Sequence, residues 1–438
     1  MMYDHEKSDP ALVAVKPTNK AGQLAAELAE PRAGAEGNAR QQSTGRAQNR
    51  GTVSQALERI RQAARQRKRE KFTALFHHVS IDHLAEAFSE LKENAAPGVD
   101  GLTCRDYEQH LESNLEDLHA RVHRGAYRAL PSRRVYIPKP DGRQRPIAVA
   151  ALEDKIVQRA TAAVLSAIYE EDFLGFSYGF RPGRSTHDAM DALVVGITST
   201  KVNWMLDADI RSFFDTVSQE WNMIIVRYAD DLIVGFEHEA DARRFLDEMR
   251  KRLQEFALSL HSEKTRLIEF GRFAAENRKR RGLGKPETFT FLGFTFICSK
   301  TRRGKFQIRR KSRRDRMQAK LQAIKQELRR SMHQPIPQQG RWLQQVVTGY
   351  FNYHAVPTNR SSLTAFLFHV TNLWRRTLQW RSQKDGMTWE RIKRLANNWL
   401  PKPRILHPWP ERRFAVRHPR WEPYARIGPV RICAGGAR

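Results

Sequence analysis

Met223-Ile224-Ile225-Val226-Arg227-Tyr228-Ala229-Asp230-Asp231-Leu232-Ile233-Val234-Gly235-Phe236 is the stretch on which the reading of this chain turns. Two apolar, β-branched runs flank a short polar centre, the pattern of a β-hairpin with Tyr228-Ala229-Asp230-Asp231 at its tip. Two adjacent carboxylates at such a tip repel one another unless a cation relieves them. A divalent metal is the natural cation: hard, oxygen-liganded and used in pairs for phosphoryl transfer. A solvated polar turn is the other reading of these four residues taken alone.

The surrounding composition favours a polyanionic partner. The 438 residues carry 76 Lys and Arg against 48 Asp and Glu, a net charge of +28, with a pI near 10.4. Charge of that size repels itself in a compact fold and makes sense beside nucleic acid. The length suffices for two or three domains with their own cores. Cys104, Cys298 and Cys433 are far apart and form no Cys-x-x-Cys pair, so neither a zinc module nor a disulfide framework is indicated. The N-terminus lacks the apolar core of a signal peptide, and no apolar run is long enough to span a bilayer. A reducing cytosol is the expected compartment.

Residues 1–50 are rich in Ala, Gly, Gln, Glu and Asn and read as a disordered tail. A basic helix follows over Val53–Phe72. A helix capped by Ser80 carries Ile81, Leu84, Ala85, Phe88 and Leu91, and another after Thr103 carries Tyr107, Leu111, Leu115 and Leu118 on one face. Strands are predicted over Arg134–Lys139 and Arg145–Val149, around Pro140-Asp141-Gly142. A long helix is predicted over Glu153–Tyr169, a second from Thr186, and a strand over Trp204–Ile210. Phe289–Ile297 alternates as a strand pair or edge strand. Beyond Lys300 the chain reads as basic and helical to about Gln383, with a Pro- and Trp-containing tail after Leu400.

Several of these pieces, in this order, resemble bacterial group II intron reverse transcriptase/maturases. Leu91–Thr103 is similar to their N-terminal extension. Ile137-Pro138-Lys139 to Arg145-Pro146-Ile147, and Tyr178-Gly179-Phe180-Arg181-Pro182-Gly183-Arg184-Ser185, resemble their two fingers blocks. Asp207-Ala208-Asp209-Ile210-Arg211-Ser212-Phe213-Phe214-Asp215 and Tyr228-Ala229-Asp230-Asp231 resemble the two catalytic palm blocks. Leu260 to Lys264-Thr265, and Phe291-Leu292-Gly293-Phe294, look like the two blocks that follow, and Gly340-Arg341-Trp342 to Tyr350-Phe351-Asn352-Tyr353-His354 like the maturase, or thumb, domain. The ordered series is more specific than any one block.

The resemblance implies an α+β right-hand polymerase: N-terminal extension and fingers over 51–203, a palm with an antiparallel sheet over 204–300, a helical thumb/maturase domain over 301–400, and a basic tail over 401–438. It implies RNA-directed DNA polymerase activity by two-metal nucleotidyl transfer, with two Mg²⁺ ions held by Asp209 and Asp230 and assisted by Asp231. Asp207 is then a structural carboxylate. Lys139 and Arg145 would clamp the triphosphate, Phe214 would stand against the ribose 2′-hydroxyl, and Lys264 would protonate the leaving pyrophosphate. Arg181 and Arg184 would either grip template phosphates or cap the next helix. Arg309, Arg310, Lys311, Arg313, Arg314 and Arg316 are candidates for RNA contact. Expected partners are group II intron RNA, template RNA, primer DNA and deoxynucleoside triphosphates, in a bacterial cytoplasm near the nucleoid and without a membrane.

The chain departs from the family in one place. A long stretch with a Pro-Gln-Gly or Gly-Gln-Gly loop and a template-positioning helix ordinarily separates the two catalytic palm blocks. Here Asp209 and Asp230 are 21 positions apart, and Ser218-Gln219-Glu220-Trp221 runs straight into Asn222-Met223-Ile224. Pro337-Gln338-Gln339-Gly340 is a look-alike in the wrong region. The expected consequence is an internally deleted palm whose Leu206, Ile224, Val226, Leu232 and Val234 lose apolar cover. An RNA-binding maturase or decayed remnant with little polymerase activity therefore stands beside the active enzyme as a functional reading.

Overall fold

The computed structural model describes residues 44–67, 72, 75–138, 144–209, 223–255, 260, 265–381 and 386–417. The expected N-terminal tail up to residue 43 lies outside them. The first helices are α1 (Thr44–Gln66), α2 (Ile81–Ser89), α3 (Cys104–Glu108) and α4 (Leu111–His123). Ser80 caps α2, its Oγ accepting the His83 amide at 3.2 Å. Thr103 and Asp106 close a capping box on α3, which satisfies two backbone donors that the helix cannot bond itself. The single helix expected after Thr103 is thus two, broken at His110. Leu84, Tyr107, Leu115 and Leu118 nonetheless share one core with Leu152, Ile156 and Ala160 of α5 (Leu152–Asp172).

Strands β1 (Arg133–Pro138) and β2 (Gln144–Val149) pair antiparallel, with Ile137 opposite Arg145. Their residues are almost all exposed, so this ribbon stands out with neither face covered. Helix α6 (Thr186–Ser199) opens on a second capping box: Ser185 Oγ accepts the Asp188 amide, and Asp188 accepts the Ser185 amide at 2.8 Å. Residues 188–197 of α6 are all buried except the half-buried Ala192, the signature of a helix enclosed on nearly all sides.

What encloses it is sheet. Strands β3 (Trp204–Asp209), β4 (Met223–Tyr228), β5 (Asp231–Phe236) and β6 (Arg266–Glu269) form one antiparallel sheet in the order β4-β5-β3-β6. Side chains alternate across it. Met205, Ile224, Val226 and Ile233 pack against α6. Leu206, Ile225, Leu232, Val234 and Phe236 pack against Ala242, Phe245, Met249 and Leu253 of α7 (Glu239–Glu255). The expected loss of cover is therefore overturned: Leu206, Ile224, Val226, Leu232 and Val234 are all buried. Each is worth about 1.5–3 kcal/mol in burial, and two helices outside the short β3–β4 connection supply the cover.

Beyond α8 (Ala274–Arg280), strands β7 (Phe289–Phe291), β8 (Phe294–Lys300) and β9 (Phe306–Ser312) make a second antiparallel sheet. Leu292 and Gly293 both hold positive φ in the β7–β8 turn, as a two-residue type I′ hairpin requires. Strand β9 falls where the charge pattern predicted helix. Its inward residues, Ile308 and Arg310, alternate with outward ones, and the run of cations hides that period of two.

Helices α9 (Arg314–Arg330), α10 (Ile336–His354), α11 (Arg360–Arg381) and α12 (Trp389–Trp399) share a separate core around Leu328, Leu343, Val347, Phe366 and Trp374. The Pro337–Gly340 look-alike is packing here. Gln339 donates to three carbonyls at the α9–α10 turn and accepts from the Trp374 indole at 2.9 Å. Helix α13 (Pro410–Arg417) returns to lie against α6. No described helix is long and apolar enough to cross a membrane.

Candidate active site

The β4–β5 hairpin closes on the pair Tyr228 and Asp231, leaving Ala229 and Asp230 as its two loop residues. Ala229 sits at φ 55, the left-handed region that suits glycine; for a residue with a Cβ it costs about 1–2 kcal/mol. Asp230 and Asp231 are both exposed. Strand β3 runs alongside so that Asp209 is the register partner of Asp231. Partners facing one another across an antiparallel ladder have Cα atoms about 4.5–5.5 Å apart. The fold thus brings three carboxylate-bearing positions, far from continuous in sequence, to one end of the sheet. The Asp209 side chain lies outside the described part of the structure. Asp207, one pleat back, is half-buried opposite Arg266 and Ile233.

A loop holds the hairpin from the side. Phe176–Tyr178 runs parallel to β4: the Arg227 amide donates to Phe176 O, and the Tyr178 amide to Arg227 O, both at 2.9 Å. Gly179 then lies directly on the turn, where a Cβ would stand 2.2 Å from Ala229 N. No side chain fits, so Gly179 is required by close approach. Phe180 follows at φ 58 and 66% exposed, its ring 6.2 Å from that of Tyr228. Sequence reasoning did not single out this contact. Its only signal was a glycine between two aromatic residues.

The predicted cations divide into outside and inside. Arg181 is buried, its guanidinium spent on Glu170 at 3.0 Å and on the carbonyls of Leu174 and Ser177 at 2.9 Å. It braces the loop rather than facing a template. Arg184 donates to Gly175 O at 2.7 Å and lies over the Tyr178 ring, half-buried. Arg310 is also inside, 2% exposed, with Nη1 2.8 Å from Asp191 Oδ1 on α6. Its place among RNA-contacting residues is corrected: strand alternation turns it inward while Arg309 and Lys311 face the other way. Lys311 and Arg314 are exposed, and Arg313 pairs with Asp315. Arg145 is exposed on β2. Lys139, Phe214 and Lys264 lie outside the described residues.

Two buried polar groups tie α6 to the C-terminal part of the chain. Arg413 Nε of α13 comes within 3.2 Å of Asp191 Oδ2, off-line for a hydrogen bond. Burial pushes the Asp191 carboxyl upward against the pull of Arg310 and Arg413, and pulls Arg310 downward. Nearby, His187 stacks on His407 at 4.1 Å, and their Nε2 atoms bond Tyr353 O and Asn352 O. Burial lowers His187 to about 4 and His354 to about 3.

Part of the chain is similar to known proteins. The reverse transcriptase (RNA-dependent DNA polymerase) family matches residues 137–224 and, in a second segment, 218–296. The chain is similar to Protein YkfC of Escherichia coli (strain K12), 42% identical over 134 residues, 30% of this chain and 35% of that protein. It is 29% identical over 163 residues to the group II intron-encoded protein LtrA of Lactococcus lactis subsp. cremoris, 37% of this chain and 27% of LtrA. It is 34% identical over 123 residues to an uncharacterized 91 kDa protein in the cob intron of Schizosaccharomyces pombe (strain 972 / ATCC 24843), 28% of this chain and 14% of that protein. Residues 137–296 thus match the reverse transcriptase family, and the chain is similar to a group II intron-encoded protein over part of its length. It spans about a third or less of the length of these relatives.

The match to the reverse transcriptase family gives the carboxylates a test. Among the described residues no group of three or more His, Cys, Asp or Glu side chains is placed to hold a metal. Asp230 and Asp231 offer oxygen donors only, as Mg²⁺ prefers, and the register supplies Asp209 as the third. The donor set fits a hard divalent cation.

Proposed function

We propose that this chain is built as an RNA-directed DNA polymerase and maturase of a group II intron, with the right-hand layout of fingers, palm and thumb. The β3–β6 sheet is the palm, and α9–α12 form the thumb. The observation that carries the reading is the register of Asp209 opposite Asp231, beside the tight turn that bears Asp230. Two Mg²⁺ ions on these carboxylates would activate the primer 3′-oxygen and neutralise the triphosphate. Lys139 and Arg145 bind the triphosphate oxygens, Arg145 from the exposed strand β2. Phe214 excludes the ribose 2′-hydroxyl, and Lys264 gives a proton to pyrophosphate. The partners are intron RNA, template RNA, primer DNA and deoxynucleoside triphosphates, met in a bacterial cytoplasm.

A second reading is favoured by a specific observation, and it governs the activity expected of this chain. The family match falls into two segments that overlap at 218–224, where 21 positions separate Asp209 from Asp230. This supports an internal deletion of the template-positioning block. RNA binding is then retained while polymerisation is weak or undetectable. Primer extension on poly(rA)/oligo(dT) with Mg²⁺ tests both parts. The chain as written should extend poorly. The same chain with the missing block restored from a relative should extend, and Asp230→Ala should abolish that gain. Robust synthesis by the unrestored chain refutes the deletion reading; no synthesis after restoration refutes the polymerase reading.

A further inference from the structure

Helices α9 and α11 run side by side in the same direction and leave between them a groove of about 710 Å³, within the range of pockets that hold small ligands. Leu321 and Leu373 form its floor, and Gln318, Gln322, Asn372 and His369 line its walls. Lys325 from α9 and Arg376 from α11 add two cations. The one acid on the lining, Asp315, is already paired with Arg313 at 2.5 Å.

Trp380 lies one helical turn past Arg376, on the same face of α11. The Trp380 indole is 60% exposed, and Arg329 of α9 lies over its ring at 5.2 Å. Among the described residues no acidic group pairs with Lys325, Arg329 or Arg376. From His369 to Trp380 the helix rises about 16 Å, room for a few nucleotides. Beside the His369 end, Phe368 stacks on Trp389 at 5.5 Å and keeps its ring 54% exposed, while Arg375 lies over the same indole at 4.7 Å.

An exposed indole offers a flat π-face on which an unpaired base can stack. A partner helix would need an apolar stripe here, and the walls are amides and cations instead. An exposed ring beside cations that have no acidic partner among the described residues suits the bases and phosphates of a single strand, whose π-faces are open as those of a duplex are not.

We propose that the α9–α11 groove binds unpaired RNA, with a base stacked on Trp380 and phosphates held by Lys325, Arg329 and Arg376. The proposal rests on the RNA-binding part of the function above and locates it on a surface distinct from the carboxylate end of the central sheet. Its test is binding of the full chain to a labelled oligouridylate and to a blunt-ended RNA duplex at physiological ionic strength. Trp380→Ala should weaken the oligouridylate about 5- to 100-fold and leave the duplex within about twofold; Trp380→Phe should restore most of the loss. A Lys325→Gln, Arg376→Gln double variant should lower affinity and flatten its salt dependence. Equal losses on both RNAs, or none on either, overturn the groove assignment. So does an acidic peptide that displaces the oligouridylate and is itself released by the double variant but not by Trp380→Ala. If the unmodified chain binds neither RNA, the RNA-binding reading itself fails; if it binds RNA tightly and Trp380→Ala changes nothing, only the groove does.

Discussion

Asp191→Ala should loosen the joint between α6, β9 and α13 more than any surface substitution. Asp191 and Arg310 are 3% and 2% exposed, so neither charge has solvent to fall back on. Burial opposes both charged forms, which makes the group tolerable only while complete. Removing the carboxylate leaves Arg310 enclosed and takes from Arg413 its Asp191 partner on α6. Breaking a buried pair this way costs about 3–5 kcal/mol, or two to four orders of magnitude in a local opening equilibrium. Amide hydrogen exchange in α6 and α13 reads that change without assuming one global transition across several regions. Replacing all three charges together, with Asp191→Leu, Arg310→Met and Arg413→Met, should recover most of the loss, because no ion remains to be desolvated. A cost under about 1 kcal/mol for Asp191→Ala, or a triple variant no better than the single one, would show that the ion group does not hold the joint.

Three further outcomes follow from the geometry. Gly179→Ala should push the Ala229 backbone by about 1 Å and lower primer extension by the block-restored chain about 10²-fold; unchanged extension would mean that the loop does not set the turn. His187, His354 and His407 are held neutral by burial, facing Arg310, Arg316 and Arg413, so below about pH 6.5 the unfolded chain takes up protons that the folded chain refuses. Stability should therefore fall as the pH drops from 6.5 towards 4, and a melting temperature independent of pH in that window would contradict this. Charge reversal at Arg309, Arg313 and Arg314 should weaken RNA binding across sequences and reduce its salt dependence by about one unit of slope per lost phosphate contact, whereas Arg310→Glu should act through unfolding; equal effects of all four on a folded chain would be the opposing result.

Local patterns were legible in the sequence, and long-range partners were not. The hairpin was readable because Ile224, Ile225, Val226, Ile233 and Val234 are β-branched and flank a polar tip. The caps at Ser80, Thr103 and Ser185 obey rules that span three residues. The register of Asp209 opposite Asp231 was accessible through the family resemblance, since nothing local pairs β3 with β5. By contrast, Arg310 looked like one more cation in a basic run. Only Asp191, 119 positions earlier, explains why it can be buried. Strand β9 was missed for the same reason: its charges dominate composition while its inward positions, Ile308 and Arg310, do not look alike.

The covered sheet separates two consequences of the short β3–β4 connection. If the missing block had supplied the apolar cover, its loss would have exposed Leu206, Ile224, Val226, Leu232 and Val234, and catalysis and folding would have failed together. These residues are buried, because α6 arrives from the N-terminal side of β3 and α7 from the C-terminal side of β5. On the deletion reading, what the short connection lacks is therefore positional rather than cohesive. Orientation of reactants can contribute about 7–11 kcal/mol to a barrier while adding nothing to the stability of the empty protein. On that reading the chain can keep its carboxylates, its sheet and its basic surfaces and still lack the alignment that polymerisation needs. Restoring the block should then change primer extension by orders of magnitude and the melting temperature of the central sheet by little. A large rise in both would place the block back in the core and undo the separation.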